Sequence, residues 1–205
     1  MTKLIDLFST IQQFKTLEKH NLENIQPILK TFQGYVTKFK NKNHRLLEYR
    51  DDRFDRDFVE FNVDISNVET LLQEYINQSF ASVTSIVDSL RLLRKFESIL
   101  HRNTLKSGLQ TKYNYLFQQY GQEIEKIKND YQRDKEKPPM VRNLPPVSGA
   151  ITWSRHLFYR ISVPMEQFPQ ELVKQRSSNI RQHVKNHNSL GYTLFSYEYM
   201  WRKEW

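Results

Sequence analysis

Apolar residues recur at helical spacing along nearly the whole chain. Leu4, Leu7, Phe8, Ile11, Phe14 and Leu17 lie on one side of an amphipathic helix. Pro27, with its fixed φ and missing N–H, suits the first turn of a second helix. Ile28, Phe32, Tyr35, Val36 and Phe39 follow on that helix, and the polar stretch from Lys40 to His44 reads as a loop. Phe54, Phe58, Phe61, Ile65, Val68, Leu72 and Tyr75 then alternate in steps of four and three. This is a heptad seam. It is too short for a sustained coiled coil and is read as one stripe of a helical bundle. Val83, Ile86, Leu90, Leu93 and Leu100 continue at helical spacing, and Gly108 marks an expected break. Another stripe runs through Leu109, Tyr113, Leu116, Tyr120, Ile124, Ile127 and Tyr131.

This stripe ends in the charged run Asp134–Lys137, followed by Pro138-Pro139 and Pro145-Pro146. Each proline fixes its own φ and disfavours helix in the residue before it, so 137–147 should be extended. Ser148 is expected to cap the next helix, with Gly149 in its first turn. Ile151, Trp153, Leu157 and Ile161 form that helix, which Pro164 should kink or end. Leu172, Val173, Ile180 and Val184 suggest a more polar helix, and 186–189 a turn. Leu190, Leu194, Tyr197, Trp201 and Trp205 give a final aromatic stripe. The predicted fold is all-α, with elongated antiparallel helical bundles of about six to eight helices broken by a diproline linker. The expected organisation is N-terminal helices over 1–44, a long-helix bundle over 45–137, a proline-rich linker over 138–147 and a second helical unit over 148–205.

Composition sharpens this picture. Among 205 residues only five are glycine and seven proline, too few breakers for many short strands. Thirteen Phe, eleven Tyr and three Trp provide a core despite a hydrophobic fraction of 38%. There is no cysteine, which excludes disulfides, thiolate zinc sites and a Cys nucleophile. No apolar run approaches membrane-span length, and Met1–Phe14 lacks the apolar core of a signal peptide, so a soluble intracellular protein is expected. The net charge of +8 can attract nucleic acid, anionic lipid or acidic protein surfaces.

Candidate chemistry is sparse. No two glycines lie close enough for a phosphate-cradling loop, and there is no nucleophile elbow. No catalytic, cofactor-binding or metal-binding residue is therefore assigned. His183 and His187 share a helix face, but zinc needs more ligands than two; a solvated polar face is the reading adopted. His156 is read as structural. Asp51, Asp52, Asp55 and Asp57 cluster where acids favour a helix start. Lys38, Lys40, Lys42 and Arg45, with Arg91, Arg94 and Lys95, can contact phosphates. The aromatics, however, follow core spacing rather than forming a stacking platform.

Three segments in this order resemble the N-terminal tail of dynein heavy chains. They are Phe54–Phe61, Pro138–Arg155 continuing through Arg160-Ile161 and Pro164-Met165, and Tyr197–Trp205. Asn143–Pro146 and Ile151–Arg155 lean to the axonemal branch. One departure is Arg160-Ile161-Ser162-Val163-Pro164-Met165, where family members usually carry two glutamates before the proline. The resemblance implies a non-catalytic tail scaffold whose partners are intermediate and light chains, other heavy chains and axonemal docking proteins, with no nucleic acid or membrane. It implies a place in the cytoplasm, the cytoskeleton and the ciliary axoneme. The motor ATPase would lie far downstream, so a chain ending at Trp205 is expected to be a fragment or a truncated product. The alternative is a free-standing basic helical adaptor or nucleic-acid binder. The residues singled out as a structural elbow are Pro145, Pro146, Gly149 and Trp153, with the tryptophan expected to be buried beside the proline segment.

Overall fold

The computed structural model describes residues 2–20, 22–42, 44, 52–99, 102–139, 144–174 and 177–203. The fold is all-α. Among the described residues there are eight α-helices and one short 3-10 turn, with no strand. The chain divides into two compact units, one of residues 1–84 and 92–110 and the other of residues 85–91 and 111–205.

The first unit holds α1 (Thr2–Glu18), α2 (Gln26–Asn41) and α3 (Arg53–Ala81). Leu7, Phe14 and Leu17 of α1 are buried, as are Leu29 and Phe32 of α2. Phe14 and Phe32 stack with ring centroids 4.1 Å apart. Between these helices Asn24 adopts a left-handed φ of 59°, a conformation that asparagine tolerates better than most residues. Pro27 occupies the first turn of α2, and α2 runs to Asn41, further than the loop expected from Lys40.

Antiparallel to α2, α3 buries Phe58, Phe61, Ile65, Val68 and Leu72. The heptad seam then drifts: Ile76 is buried whereas Tyr75 is half-exposed. A straight helix with 3.6 residues per turn rotates a strict seven-residue seam off its face by about 20° per heptad. Tyr75 donates its hydroxyl to the carbonyl of Glu23 at 2.6 Å instead.

Residues 86–91 and 92–94 of α4 (Ile86–Arg94) fall in different units, as do the two parts of α5 (Asn103–Asp134). The 3-10 turn Glu97–Ile99 packs on α1. Gly108 is not a break, because α5 runs straight through it. A Cβ at that position would come within 2.8 Å of the Gln73 side chain, so glycine provides space against α3.

In the second unit, α5 from Thr111 onward packs with α6 (Pro146–Gln167), the short α7 (Gln170–Val173) and α8 (Ser178–Lys203). Helix α6 runs antiparallel to both α5 and α8. Tyr113, Leu116, Phe117, Tyr120, Ile124 and Ile127 of α5 form its core with Leu157 and Ile161 of α6 and Leu190 and Leu194 of α8. Three sequence expectations are corrected here. Pro145, not Ser148, stands at the α6 N-cap, with Pro146 in the first turn, where the missing N–H costs nothing. Pro164 does not end α6, which continues to Gln167 with Pro164 buried inside it. Residues 186–189 form no turn but the middle of α8. Leu100, Trp205, Arg45, Asp51 and positions 140–143 lie outside the described residues.

Candidate functional site

Pro145, Pro146, Gly149 and Trp153 lie together at the start of α6. Pro145 has φ −57° and ψ 148°, the extended geometry of a polyproline turn. Its carbonyl accepts from the Gly149 N–H at 2.8 Å, closing the first helical turn. Gly149 is buried, and no described glycine has a positive φ, so its backbone is ordinary helix. One turn on, Trp153 is 9% exposed. Its ring stacks on Tyr131 of α5 at 6.1 Å and meets Tyr197 of α8 edge-on at 5.7 Å. Tyr197 in turn donates to the Lys135 carbonyl at 2.9 Å, and burial pushes its phenol pKa up. The proline segment thus joins two helices, α5 and α6, that share this aromatic cluster within one compact unit.

A second three-helix junction, which periodicity could not reveal, lies deeper. The Tyr120 side chain is fully buried. Its hydroxyl is 2.8 Å from the Ile161 carbonyl of α6 and 2.6 Å from His187 Nδ1 of α8. A carbonyl only accepts, so the single phenolic proton goes to Ile161. His187 must then donate from Nδ1 to the phenol oxygen. Burial pushes the Tyr120 phenol well above its ordinary range and the His187 pKa below 6.5. The junction stands beside Pro164, which lacks the N–H that the Arg160 carbonyl would otherwise take. The His183 ring lies against Gly121, where a Cβ would sit 2.2 Å from the ring. The two histidines are therefore half-buried packing residues, not the solvated polar face expected. His156, read as structural, is instead exposed. Among the described residues no group of three or more His, Asp or Glu is placed to hold a metal ion.

Charges near the expected acidic and basic clusters are mostly paired. In the first unit Lys38 reaches Glu60 at 2.7 Å and Asp64 at 3.6 Å, and Lys42 reaches Asp57 at 2.7 Å and Glu60 at 2.6 Å. His44 adds a contact to Asp57 at 2.8 Å. The lysine partners hold the carboxyls of Asp57 and Glu60 below their ordinary range. Asp55 pairs with Lys3, and Asp52 with Arg56. Asp55, Asp57 and Glu60 thus tie α3 to neighbouring elements, Asp52 pairs within the start of α3, and Lys38 and Lys42 are already engaged by carboxylates. Deeper in the same unit, buried Glu69 accepts from Arg102 and Thr104, and Arg102 also donates to Thr10 at 3.2 Å. In the second unit Arg155 donates twice to Glu198, at 3.0 and 2.8 Å, and Arg160 pairs with Glu123 and Asp130. Arg160 of α6 thus finds its acids on α5.

Long helices, polar groups satisfied by neighbouring helices and aromatic junctions define an all-α segment held together by helix packing. The chain belongs to the family described as dynein heavy chain, N-terminal region 1, which matches residues 1–205. It is 38% identical over 204 residues to the dynein gamma chain of the flagellar outer arm of Chlamydomonas reinhardtii, covering 99% of this chain. It is 29% identical over 205 residues to dynein axonemal heavy chain 5 of Mus musculus, and 28% identical over 207 residues to dynein axonemal heavy chain 8 of Homo sapiens. Both of these matches cover 100% of this chain. The chain spans 4% of the length of each of these three relatives. The resemblance drawn from Phe54–Phe61, Pro138–Arg155 and Tyr197–Trp205 is thereby confirmed and extends to the N-terminal helices. No described helix is long and apolar enough to cross a membrane.

Proposed function

We propose that this chain is a non-catalytic part of an axonemal dynein heavy-chain tail. It helps hold heavy chains together, binds intermediate and light chains, and anchors the microtubule motor in the cytoskeleton of the cilium. The observation that carries this reading is the family match over all 205 residues, with flagellar and axonemal heavy chains among the relatives. The paired charges agree with it, since Lys38 and Lys42, the basic group most suggestive of phosphate binding, already face carboxylates. The free-standing adaptor or nucleic-acid binder is not favoured. Within the proposal, the chain is organised as 1–44, 45–137, 138–147 and 148–205. Pro145, Pro146, Gly149 and Trp153 form an elbow that sets the direction of α6 from its first turn.

The test is co-purification of tagged full-length heavy chain with intermediate and light chains after nuclease treatment, combined with calorimetry of ATP on residues 1–205. The expected result is nuclease-resistant association and no nucleotide binding by the segment. Stoichiometric ATP binding by the segment, or loss of its partners on nuclease treatment, overturns the proposal.

A further inference from the structure

Helix α8 is apolar on two sides. Its inner face carries Leu190, Leu194 and Tyr197 into the core, whereas Tyr192 and Met200 are 75% and 47% exposed on another side. A soluble surface helix normally has one apolar stripe, and a second one marks a surface made to be covered. Two grooves, of 620 and 520 Å³, run along this outer side and share Tyr192 and Thr193. Their α8 residues span 181 to 200, a track roughly 28 Å long at 1.5 Å per residue. Val173 of α7 walls one end, and Tyr131 of α5 with Lys135 just beyond it walls the other. The floor at Ser189, Thr193 and Ser196 is low, flanked by the taller Tyr192 and Met200. A cylinder with side chains repeating every three to four residues fits such a track.

Charge selects the occupant. Arg181, Lys185 and Lys135 are exposed along the grooves, and no described carboxylate pairs with them, with Glu136 the one acid in either lining. The single carboxylate of α8, Glu198, is engaged by Arg155 and Arg202. Composition selects the source. A helix belonging permanently to this core would meet an apolar face like the inner one, whereas Asn188, Ser189, Thr193 and Ser196 beside Val184, Tyr192 and Met200 give the mixed character of separable interfaces.

We propose that the outer face of α8 docks an amphipathic α-helix of a different subunit, about five turns long, whose flanks carry Asp and Glu against Arg181, Lys185 and Lys135. This inference rests on the tail-scaffold reading and specifies a surface and a partner chemistry for it.

The experiment uses full-length heavy chain in its assembled dynein complex, with p-benzoyl-phenylalanine in place of the exposed Tyr192. After irradiation, cross-linked peptides are sequenced. The expected product joins position 192 to one acid-flanked amphipathic helix of another subunit. Arg181→Glu with Lys185→Glu should lower its yield roughly tenfold, since like charges across an interface are strongly disfavoured. Exchanging the partner's flanking acids for lysine should restore it. An intact complex that cross-links position 192 to the heavy chain itself, to a basic segment or to nothing overturns the inference and leaves the tail reading standing. So does a yield indifferent to charge reversal while helicity is unchanged. If wild-type heavy chain assembles with no other subunit, the tail reading fails and this inference fails with it.

Discussion

Removing the hydroxyl of Tyr120 isolates the junction of α5, α6 and α8. Tyr120→Phe keeps the ring, its volume and its contacts with Phe117 and Phe168. It deletes one donor to the Ile161 carbonyl and one acceptor for the His187 Nδ1–H. Tyr120 and Ile161 are both fully buried, so water does not replace the lost bond on the α6 side. A neutral intramolecular hydrogen bond contributes about 1 kcal/mol net, and a buried group left unpaired costs about 1–3 kcal/mol. His187 is half-buried and can turn part of its ring to solvent, which holds its share to the low end. The expected loss is therefore about 2–3 kcal/mol. At about 2–4 °C per kcal/mol for a domain of this size, the melting temperature should fall by about 5–10 °C. All three tryptophans fall in the second unit, so tryptophan fluorescence during urea unfolding reports the unit that contains the junction. A Tyr120→Phe variant within about 0.5 kcal/mol of the parent would refute the three-way bond.

Two glycines on helices should respond in opposite directions. Gly121→Ala drives a Cβ into the His183 ring and should destabilise by about 1–3 kcal/mol, whereas Gly34→Ala meets nothing within 4 Å and should stabilise α2 by about 0.5–1 kcal/mol; paired thermal melts check both. Trp153→Ala, at a packed position between Tyr131 and Tyr197, should cost about 3–5 kcal/mol by urea unfolding; a loss under about 1 kcal/mol would remove the tryptophan from the elbow. Acid should destabilise the chain in two stages. His187 titrates below 6.5 when folded, so between that value and 6.5 the unfolded chain binds more protons, and stability falls as pH drops through this window. The lowered carboxyls of Asp57 and Glu60 act next, as pH falls through the ordinary carboxylate range and below. His187→Gln retains an N–H donor but does not titrate, and should flatten the first stage alone in urea titrations across pH.

The helices were legible because their apolar stripes are long: Phe58 to Leu72 and Leu109 to Tyr131 each repeat over several turns. The breaks were less legible. Gly108 resembles a helix stop, yet glycine inside a helix costs only about 1 kcal/mol, an amount that close approach of Gln73 can offset. Residues 186–189 are individually poor helix formers, but tertiary contacts outweigh propensity: His187 bonds Tyr120, and Asn186 donates to Glu125 at 3.0 Å. Ser148 looked like a cap because serine favours that position, whereas Pro146 had already supplied the first-turn geometry. The elbow residues could be picked out because diprolines are conspicuous locally. The Tyr120–His187 bond joins residues 67 apart and the Arg102–Glu69 pair residues 33 apart, and no local pattern encodes such partners.

The central claim is that this segment assembles and anchors a motor without taking part in its chemistry. The direct measurement compares full-length heavy chain with a form lacking residues 1–205, both expressed in a ciliated cell that lacks the endogenous chain. Microtubule-stimulated ATPase of the purified proteins is read beside their incorporation into axonemes. The account predicts ATPase activity within about twofold, a change in the barrier of under about 0.5 kcal/mol, together with loss of axonemal incorporation. Abolished ATPase in the shortened chain, or its normal incorporation into the axoneme, would contradict the account.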